Sequence, residues 1–306
     1  MENSSDAGRV ILSGASGMLG TALRDRFALR YTPTLQLVRR ITAGSDQLQW
    51  DPTKSLPVST SARLEGCAAA IHLSGANLAD RRWTASYRRE MWASRVDSTR
   101  ALATALAALR RPPASLLVAS AIGFYGNRDD ELLTEVSGPG SGFLADLCRE
   151  WEAAAEPAIK AGMRVVCLRT GVVLGRGHGA LERMLPVFRM GLGGKLGNGR
   201  QWMSWISLTD AINGILFAME TPSISGPLNL TAPKPVTNGE FTRALGRMLH
   251  RPAFFSVPAF ALRLALGPIA DEALLASARA SPAKMQAAGF PFAHPTIEEA
   301  LSAAMA

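Results

Sequence analysis

Three glycines at three-residue spacing, Gly14, Gly17 and Gly20, follow the apolar run Val10-Ile11-Leu12-Ser13. Ala15, Ser16, Met18 and Leu19 lie between them, and the amphipathic stretch Thr21 to Phe27 begins at once. The chemistry this suits is the seating of a dinucleotide pyrophosphate. Gly14 permits a tight turn, Gly17 lets the backbone approach the phosphates, and Gly20 lets the helix pack against its strand. The helix start offers free N–H groups and a positive dipole end to the anion. Glycine is frequent here, with 28 in the chain. Its placement between strand and helix is what makes the pattern informative.

Thr34-Leu35-Gln36-Leu37-Val38 reads as a second strand and ends in Arg39-Arg40. An acidic residue at that point would bond the ribose 2′-OH of NAD, whereas arginine suits a 2′-phosphate, so NADP(H) is expected over NAD. Gly14 and Arg39 are 25 positions apart, close to the ~20 between fingerprint and selector. Ala68 to Ala76 is a buried strand running into a turn of small residues that includes Leu73, Ser74 and Gly75. At the carboxyl end of a parallel strand, such residues let backbone lie against a ligand. His72, inside the strand, reads as a core residue rather than a catalyst.

These residues need a frame. A helix over about residues 85 to 110 carries Glu90 and Arg95 and stops at Pro112-Pro113. Five positions separate the two, so they do not share one ideal line, and one can face a cofactor while the other faces solvent. Ser115 to Ser120 is the next strand, leading into a turn with Tyr125. A polar loop, a helix from about Leu144 to Ala161, and a strand Arg164 to Arg169 follow, ending at Thr170 to Gly175 with Val173. The alternation predicts an α/β fold, a Rossmann-type doubly wound parallel sheet with right-handed crossovers.

Past Gly175 the chain reads as a glycine-rich loop segment with little periodicity. Regularity resumes at Trp205, with a helix to about Glu220 and a strand at Pro227 to Leu230. From Pro235, two helical stretches and a proline-punctuated tail suggest a smaller C-terminal α/β lobe over the sheet edge. The expected division is residues 7–175, completed by about 203–230, for the dinucleotide domain. Residues 176–202 and 231–306 would form the lobe. Within it, Lys195, Asn198, Arg200, Gln201 and Trp202 could contact a phosphorylated or sugar-like substrate, or simply form a solvated loop. The apolar stretch Phe260 to Leu266 is expected to pack within the lobe rather than to meet a membrane.

Bulk composition narrows the class. The chain has 306 residues, 47% hydrophobic and 19% charged, which is that of a folded protein. No apolar run reaches the ~18 residues of a membrane span, and the polar start has no signal-peptide layout. Cys67, Cys148 and Cys167 lack metal spacing, and an odd number argues against a disulfide framework. Four scattered histidines give no zinc site. A reduced, cytoplasmic protein is expected. The net charge of +8 is dispersed and carried mostly by arginine, with only five lysines. No nucleic-acid motif accompanies it, so a small-molecule substrate is the expected partner, with neither nucleic acid nor membrane. Oligomeric state has no signal.

Taken together, several stretches resemble one family. They are Gly14 to Gly20, Leu37-Val38-Arg39-Arg40, His72 to Asn77, Arg81-Arg82-Trp83, Ser94-Arg95 and Trp151 to Ala155. Arg169 to Gly175, Trp205-Ile206 through Asp210, and Ala288-Gly289-Phe290-Pro291-Phe292 complete the set. The chain resembles the atypical extended short-chain dehydrogenase/reductases, the epimerase family proteins of the SDR39U1 type. The likeness covers essentially the whole chain. It implies an NADP-type cofactor and a Rossmann sheet with a C-terminal lobe like that of DUF1731. By that likeness Val38 and Arg39 lie at the adenosine end, and Leu73 and Ser74 against the cofactor backbone. Glu90 and Arg95 would sit on the flanking helix and Val173 nearer the nicotinamide.

Redox or epimerase chemistry in that superfamily generally uses a tyrosine with a lysine four residues on, so that the charge favours tyrosinate, and a Ser or Thr that polarises the substrate oxygen. Ser120 stands at the serine position. No Tyr-x-x-x-Lys occurs in this chain, and the helix that would carry it offers Phe143 and Leu147. Two expectations follow. The chain is an NADP(H)-dependent oxidoreductase or epimerase using Ser120 and Tyr125, with help from Arg169 or a loop acid. Alternatively, it is a dinucleotide-binding regulatory or interaction protein that lacks the acid–base pair.

Overall fold

A computed structural model describes residues 8–40, 44–52, 58–177 and 179–306. Seven parallel strands form the central sheet. They are β1 Val10–Ser13, β2 Thr34–Val38, β3 Gln47–Gln49, β4 Ala69–His72, β5 Ser115–Ala121, β6 Arg164–Thr170 and β7 Gly226–Leu230. Their spatial order is β7-β6-β5-β4-β1-β2-β3. Every residue of β1 and β4 is buried, as expected for a parallel sheet covered on both faces. The chain leaves β1 toward β2 on one side, while β4 lies on the other. The carboxyl ends of β1 and β4 therefore flank the point where strand order reverses, which is where sheets of this kind bind their ligands.

Side chains alternate across the sheet into two apolar layers. Ile11, Leu35, Ala70 and Leu116 face α2 Ala85–Trp92, α3 Ser98–Ala107 and α4 Phe143–Ala153, meeting Met91, Leu102, Leu106, Leu147 and Trp151. Val10, Leu12, Ile71 and Leu117 face α1 Met18–Leu29 and a later helix, Leu208–Glu220. On α1, Leu23 and Phe27 are one turn apart and fully buried, worth about 1.5–3 kcal/mol each by area. The doubly wound sheet anticipated from the alternating pattern is present.

Three departures from the sequence reading stand out. The segment after Gly175 contains a helix, α5 Gly179–Arg189, which buries Leu181, Leu185 and Phe188 at helical spacing. Pro186 inside it and the glycines around it conceal that period. The expected helix from 85 to 110 is interrupted between α2 and α3 by a π-helical turn, Ala93–Asp97. The region after Pro235 holds three helices of eight residues or more. With Leu208–Glu220 as α6, they are α7 Asn238–Met248, α8 Ala259–Leu266 and α9 Ile297–Met305. Capping boxes, Thr237 with Glu240 and Thr296 with Glu299, start α7 and α9. On α8 only Leu262 is buried, so the stretch expected to pack inside the lobe lies on its outside. No helix among the described residues is long and apolar enough to cross a membrane.

Candidate functional site

The glycine turn is shaped by steric need at two of its three glycines. Gly14 has φ +73°, and a Cβ there would lie 2.7 Å from the Leu73 carbonyl carbon and 2.9 Å from the Ser74 nitrogen. A Cβ on Gly20 would sit 2.1 Å from the Gly14 carbonyl oxygen, so α1 can approach β1 only with glycine there. Gly17 differs. The nearest atom to its missing Cβ is Gly14 O at 3.5 Å, with nothing else within 4 Å. Its surface is open to a ligand. Gly17 caps α1 without a side-chain bond, and the first turn holds no acidic residue. This uncapped helix start, with Ser16 exposed beside half-buried Met18 and Leu19, fits a pyrophosphate.

The wall opposite comes from β4. Leu73 N donates to Ser13 O at 3.2 Å, which holds the small-residue turn beside Gly14. The next contacts come from the π-helical turn, whose extra residue per turn brings Ser94 and Arg95 to bear on one residue, Ala76. Ser94 Oγ accepts from Ala76 N at 3.0 Å, and Arg95 Nη2 donates to Ala76 O at 2.8 Å. Single π turns of this kind commonly mark functional sites. Arg95 is buried, stacks on Trp151 at 5.1 Å, and its guanidinium carbon lies 3.1 Å from where a Gly75 Cβ would be. Burial lowers its proton affinity. Val173 lies near Met18 across Gly179. A Cβ on Gly179 would lie 3.4 Å from Met18 Cε and 3.7 Å from Val173 O.

Thus Gly14, Gly17, Met18, Leu73, Ser74, Gly75, Arg95 and Val173 are linked by a chain of neighbours around the carboxyl ends of β1 and β4. Glu90 does not join them. It sits on the exposed side of α2, 3.6 Å from Arg81, a solvated pair of little energetic weight. Val38 is half-buried at the end of β2, and Arg39 and Arg40 beyond it are exposed. Among the described residues neither arginine enters an ion pair, and the Arg39 carbonyl accepts from Gln49 Nε2 at 3.3 Å.

The pair expected to do acid–base work is placed otherwise. Tyr125 is fully buried. Its hydroxyl donates to Asn229 Oδ1 (2.7 Å) or Thr134 O (3.0 Å) and accepts from Arg169 Nη1 at 3.1 Å. Burial pushes the phenol's pKa up, only partly countered by Arg169. Ser120 is buried as well and donates to Glu152 Oε1 at 2.7 Å. Glu152 in turn receives two bonds of 2.8 Å from Arg169. Burial works against the Arg169 charge, but Glu152 and then Tyr125 more than offset it and hold the guanidinium above its ordinary pKa. This network is closed on itself: the hydroxyls of Ser120 and Tyr125, expected to act on substrate, are both bonded to protein partners.

Where the tyrosine and lysine would stand, Phe143 packs edge-on against Trp83 at 5.5 Å and Leu147 is buried. Glu272 reaches from the lobe to cap α4, accepting from Phe143 N at 2.9 Å and Leu144 N at 3.0 Å. Glu272, Glu152 and Asn229 escaped the sequence reading. Only Asn229, a polar residue inside an apolar strand, carried a visible signal. The lobe residues proposed as substrate contacts are mostly committed to structure. Gln201 Nε2 donates to Leu196 O and Leu274 O, and Trp202 Nε1 to Asp130 Oδ1. Asn198 Oδ1 accepts from Arg200 N. Lys195 and Arg200 are exposed.

His72 ties the floor together. Its ring bonds Ser13 Oγ at 2.5 Å and Ser98 Oγ at 3.2 Å, and Trp50 meets it edge-on at 5.8 Å. Burial lowers its pKa from 6.5 to about 4. The unfolded chain therefore binds more protons between those values. The stability present above pH 6.5 should be lost progressively toward about pH 4, by ~3 kcal/mol in all. Urea midpoints across that range should decline less steeply for His72→Asn than for the wild type. An equally steep decline would assign the loss to other groups. Burial also pushes the thiols of Cys148 and Cys167 up to about 12, leaving them unreactive. No metal-binding cluster occurs among the described residues.

The sequence pattern of the NAD dependent epimerase/dehydratase family matches residues 10–230, and that of a domain of unknown function, DUF1731, matches residues 257–304. The chain is 46% identical to the epimerase family protein ML0860 of Mycobacterium leprae, over 96% of this chain and 94% of that one. The crystal structure of human epimerase family protein SDR39U1 (isoform 2) with NADPH superposes with a TM-score of 0.88. It is 32% identical, and the match covers 97% of this chain and 98% of that chain. A nucleoside-diphosphate sugar epimerase from Corynebacterium glutamicum gives a TM-score of 0.79 at 33% identity, over 98% of this chain and 58% of that chain. The chain belongs to the NAD dependent epimerase/dehydratase family and carries a DUF1731 domain, as the SDR39U1-type resemblance had implied.

Proposed function

We propose that this protein binds NADP(H) at the carboxyl ends of β1 and β4 and is an NADP(H)-dependent oxidoreductase or epimerase acting on a small carbonyl or hydroxyl compound. The observation that carries the reading is the open Gly17 surface at an uncapped helix start, with Arg39 and Arg40 at the selector position. The NADPH held by the human relative supports the same choice of cofactor. The α1 N-terminus binds the pyrophosphate, Arg39 and Arg40 meet the 2′-phosphate, and Ser94 and Arg95 hold the β4 turn against the cofactor. When bound, NADPH supplies a hydride to a carbonyl carbon, or NADP⁺ accepts one from a carbinol carbon. The proton that balances the hydride is exchanged with solvent water rather than with Tyr125, whose hydroxyl is taken up by Asn229, Thr134 and Arg169.

The test is NADPH oxidation, followed by absorbance, with a panel of small aldehydes, ketones and sugar nucleotides. Turnover is expected. Tyr125→Phe should keep the rate within about twofold, since a group outside the proton path contributes no acid–base catalysis. The same substitution should cost about 1–3 kcal/mol of stability, because it leaves buried acceptors without a donor. A rate loss of about a hundredfold or more would restore Tyr125 as a general acid. The second reading, a non-catalytic NADP(H)-dependent interaction protein, is favoured by Phe143 and Leu147 at the expected acid–base positions. Tight NADPH binding without turnover on any of the panel would select it.

A further inference from the structure

Large apolar side chains that remain exposed are frequent on adjoining segments between residues 187 and 266. Met190 and Leu192 follow α5, Phe254 and Phe255 open the strand Phe255–Val257, and Phe260 and Leu264 lie on α8. The backbone joins these groups. Gly194–Leu196 pairs with Phe255–Val257, and Pro252 lies 3.5 Å from where a Gly191 Cβ would be. Phe260 and Leu264 are one turn apart and share a helix face. Phe260 and Leu264 are 71% and 79% exposed and project from the surface, and Phe254, 75% exposed, stands at the edge of a groove that it helps to line. Exposed apolar groups gathered on joined segments mark an interaction site.

Charge decides what covers it. Beside Phe254, an open groove of about 640 Å³ is lined by Arg243, Arg247, His250 and Arg251, with no carboxylate among the lining residues. Glu298 holds Arg247 at 3.1 Å. Arg189 and Lys195 are exposed on the neighbouring segments, and the chain as a whole carries +8. A second copy on the same face would set these cations against their own images. An anionic surface instead gains from each, about fivefold in affinity per arginine or lysine near lipid headgroups. Anchors of a protein partner usually fill pockets, whereas here the apolar tips stand out. Projecting phenyl and leucyl groups beside basic side chains fit insertion roughly 5–10 Å into the headgroup and acyl boundary. We propose that this face, formed by α8, the strand Phe255–Val257 and the basic groove, docks reversibly on an anionic phospholipid surface.

The experiment is co-sedimentation of the full chain with phosphatidylcholine vesicles, with and without phosphatidylglycerol. The wild type should sediment with the anionic vesicles. Affinity should fall on the order of tenfold or more in Phe260→Ser/Leu264→Ser and in Arg243→Ala/Arg251→Ala, and by as much when phosphatidylglycerol is omitted. Unchanged thermal melting of both variants shows that the fold is intact. Failure to sediment with anionic vesicles, or sedimentation indifferent to both variants, would overturn the proposal. So would a concentration-dependent dimer in analytical ultracentrifugation that Phe260→Ser/Leu264→Ser dissolves while vesicles leave the protein in solution, since the face would then belong to a second copy.

Discussion

Glu152→Ala is expected to lower folding stability by about 3–5 kcal/mol, the cost of leaving a buried charge without its partner. The Arg169 and Glu152 side chains are 5% and 14% exposed, so water does little to screen the loss. Three bonds end on this carboxylate, two from Arg169 and one from Ser120. Removing it strands the guanidinium and the Ser120 hydroxyl together, at adjacent positions of β5 and β6 in the sheet register. The double variant Glu152→Leu/Arg169→Met should recover most of the loss, because it removes both charges rather than one. Urea denaturation of the two variants measures this. A loss below about 1 kcal/mol for Glu152→Ala would place the pair among solvated ion pairs.

Arg39→Asp should weaken NADPH binding on the order of a hundredfold, corresponding to about 2.7 kcal/mol. The guanidinium offers a 2′-phosphate a charge-assisted, bidentate partner. A carboxylate would repel the phosphate and accept the ribose 2′-OH of NADH instead. NADH affinity should therefore hold or rise in the same variant. Arg39 is exposed at the end of β2, away from the apolar layers, so the substitution leaves the fold unburdened. Titration of the variant with both nucleotides reads the effect, and an equal loss for NADPH and NADH would remove Arg39 from the 2′ position.

How much of this was legible depends on whether a feature is local. Gly14 and Gly20 announce their turn because each solves a steric problem posed by its neighbours, while Gly17 between them leaves its surface open. The order of the sheet follows from alternating strands and helices. The buried network did not show. Tyr125, Arg169, Glu152 and Asn229 are spread over 105 positions from first to last, and only tertiary packing brings them together. Tyr125 drew attention as a tyrosine following a strand end, yet its type did not reveal the buried partners, Asn229, Thr134 and Arg169, that its hydroxyl meets. The π turn at Ala93–Asp97 has no residue pattern of its own, although it aims both Ser94 and Arg95 at Ala76. In α5, Pro186 masked a helix that packing of Leu181, Leu185 and Phe188 sustains. On α8, apolar composition suggested burial, whereas the helix lies outside the layers that could cover it.

The most direct measurement is a calorimetric titration of the purified wild-type protein with NADPH, NADH, NADP⁺ and NAD⁺ in parallel. NADPH and NADP⁺ should bind, at least about tenfold more tightly than their counterparts lacking the 2′-phosphate. Binding of none of the four, or tighter binding of NADH and NAD⁺, would contradict the placement of an NADP-type cofactor between Gly17 and Arg39.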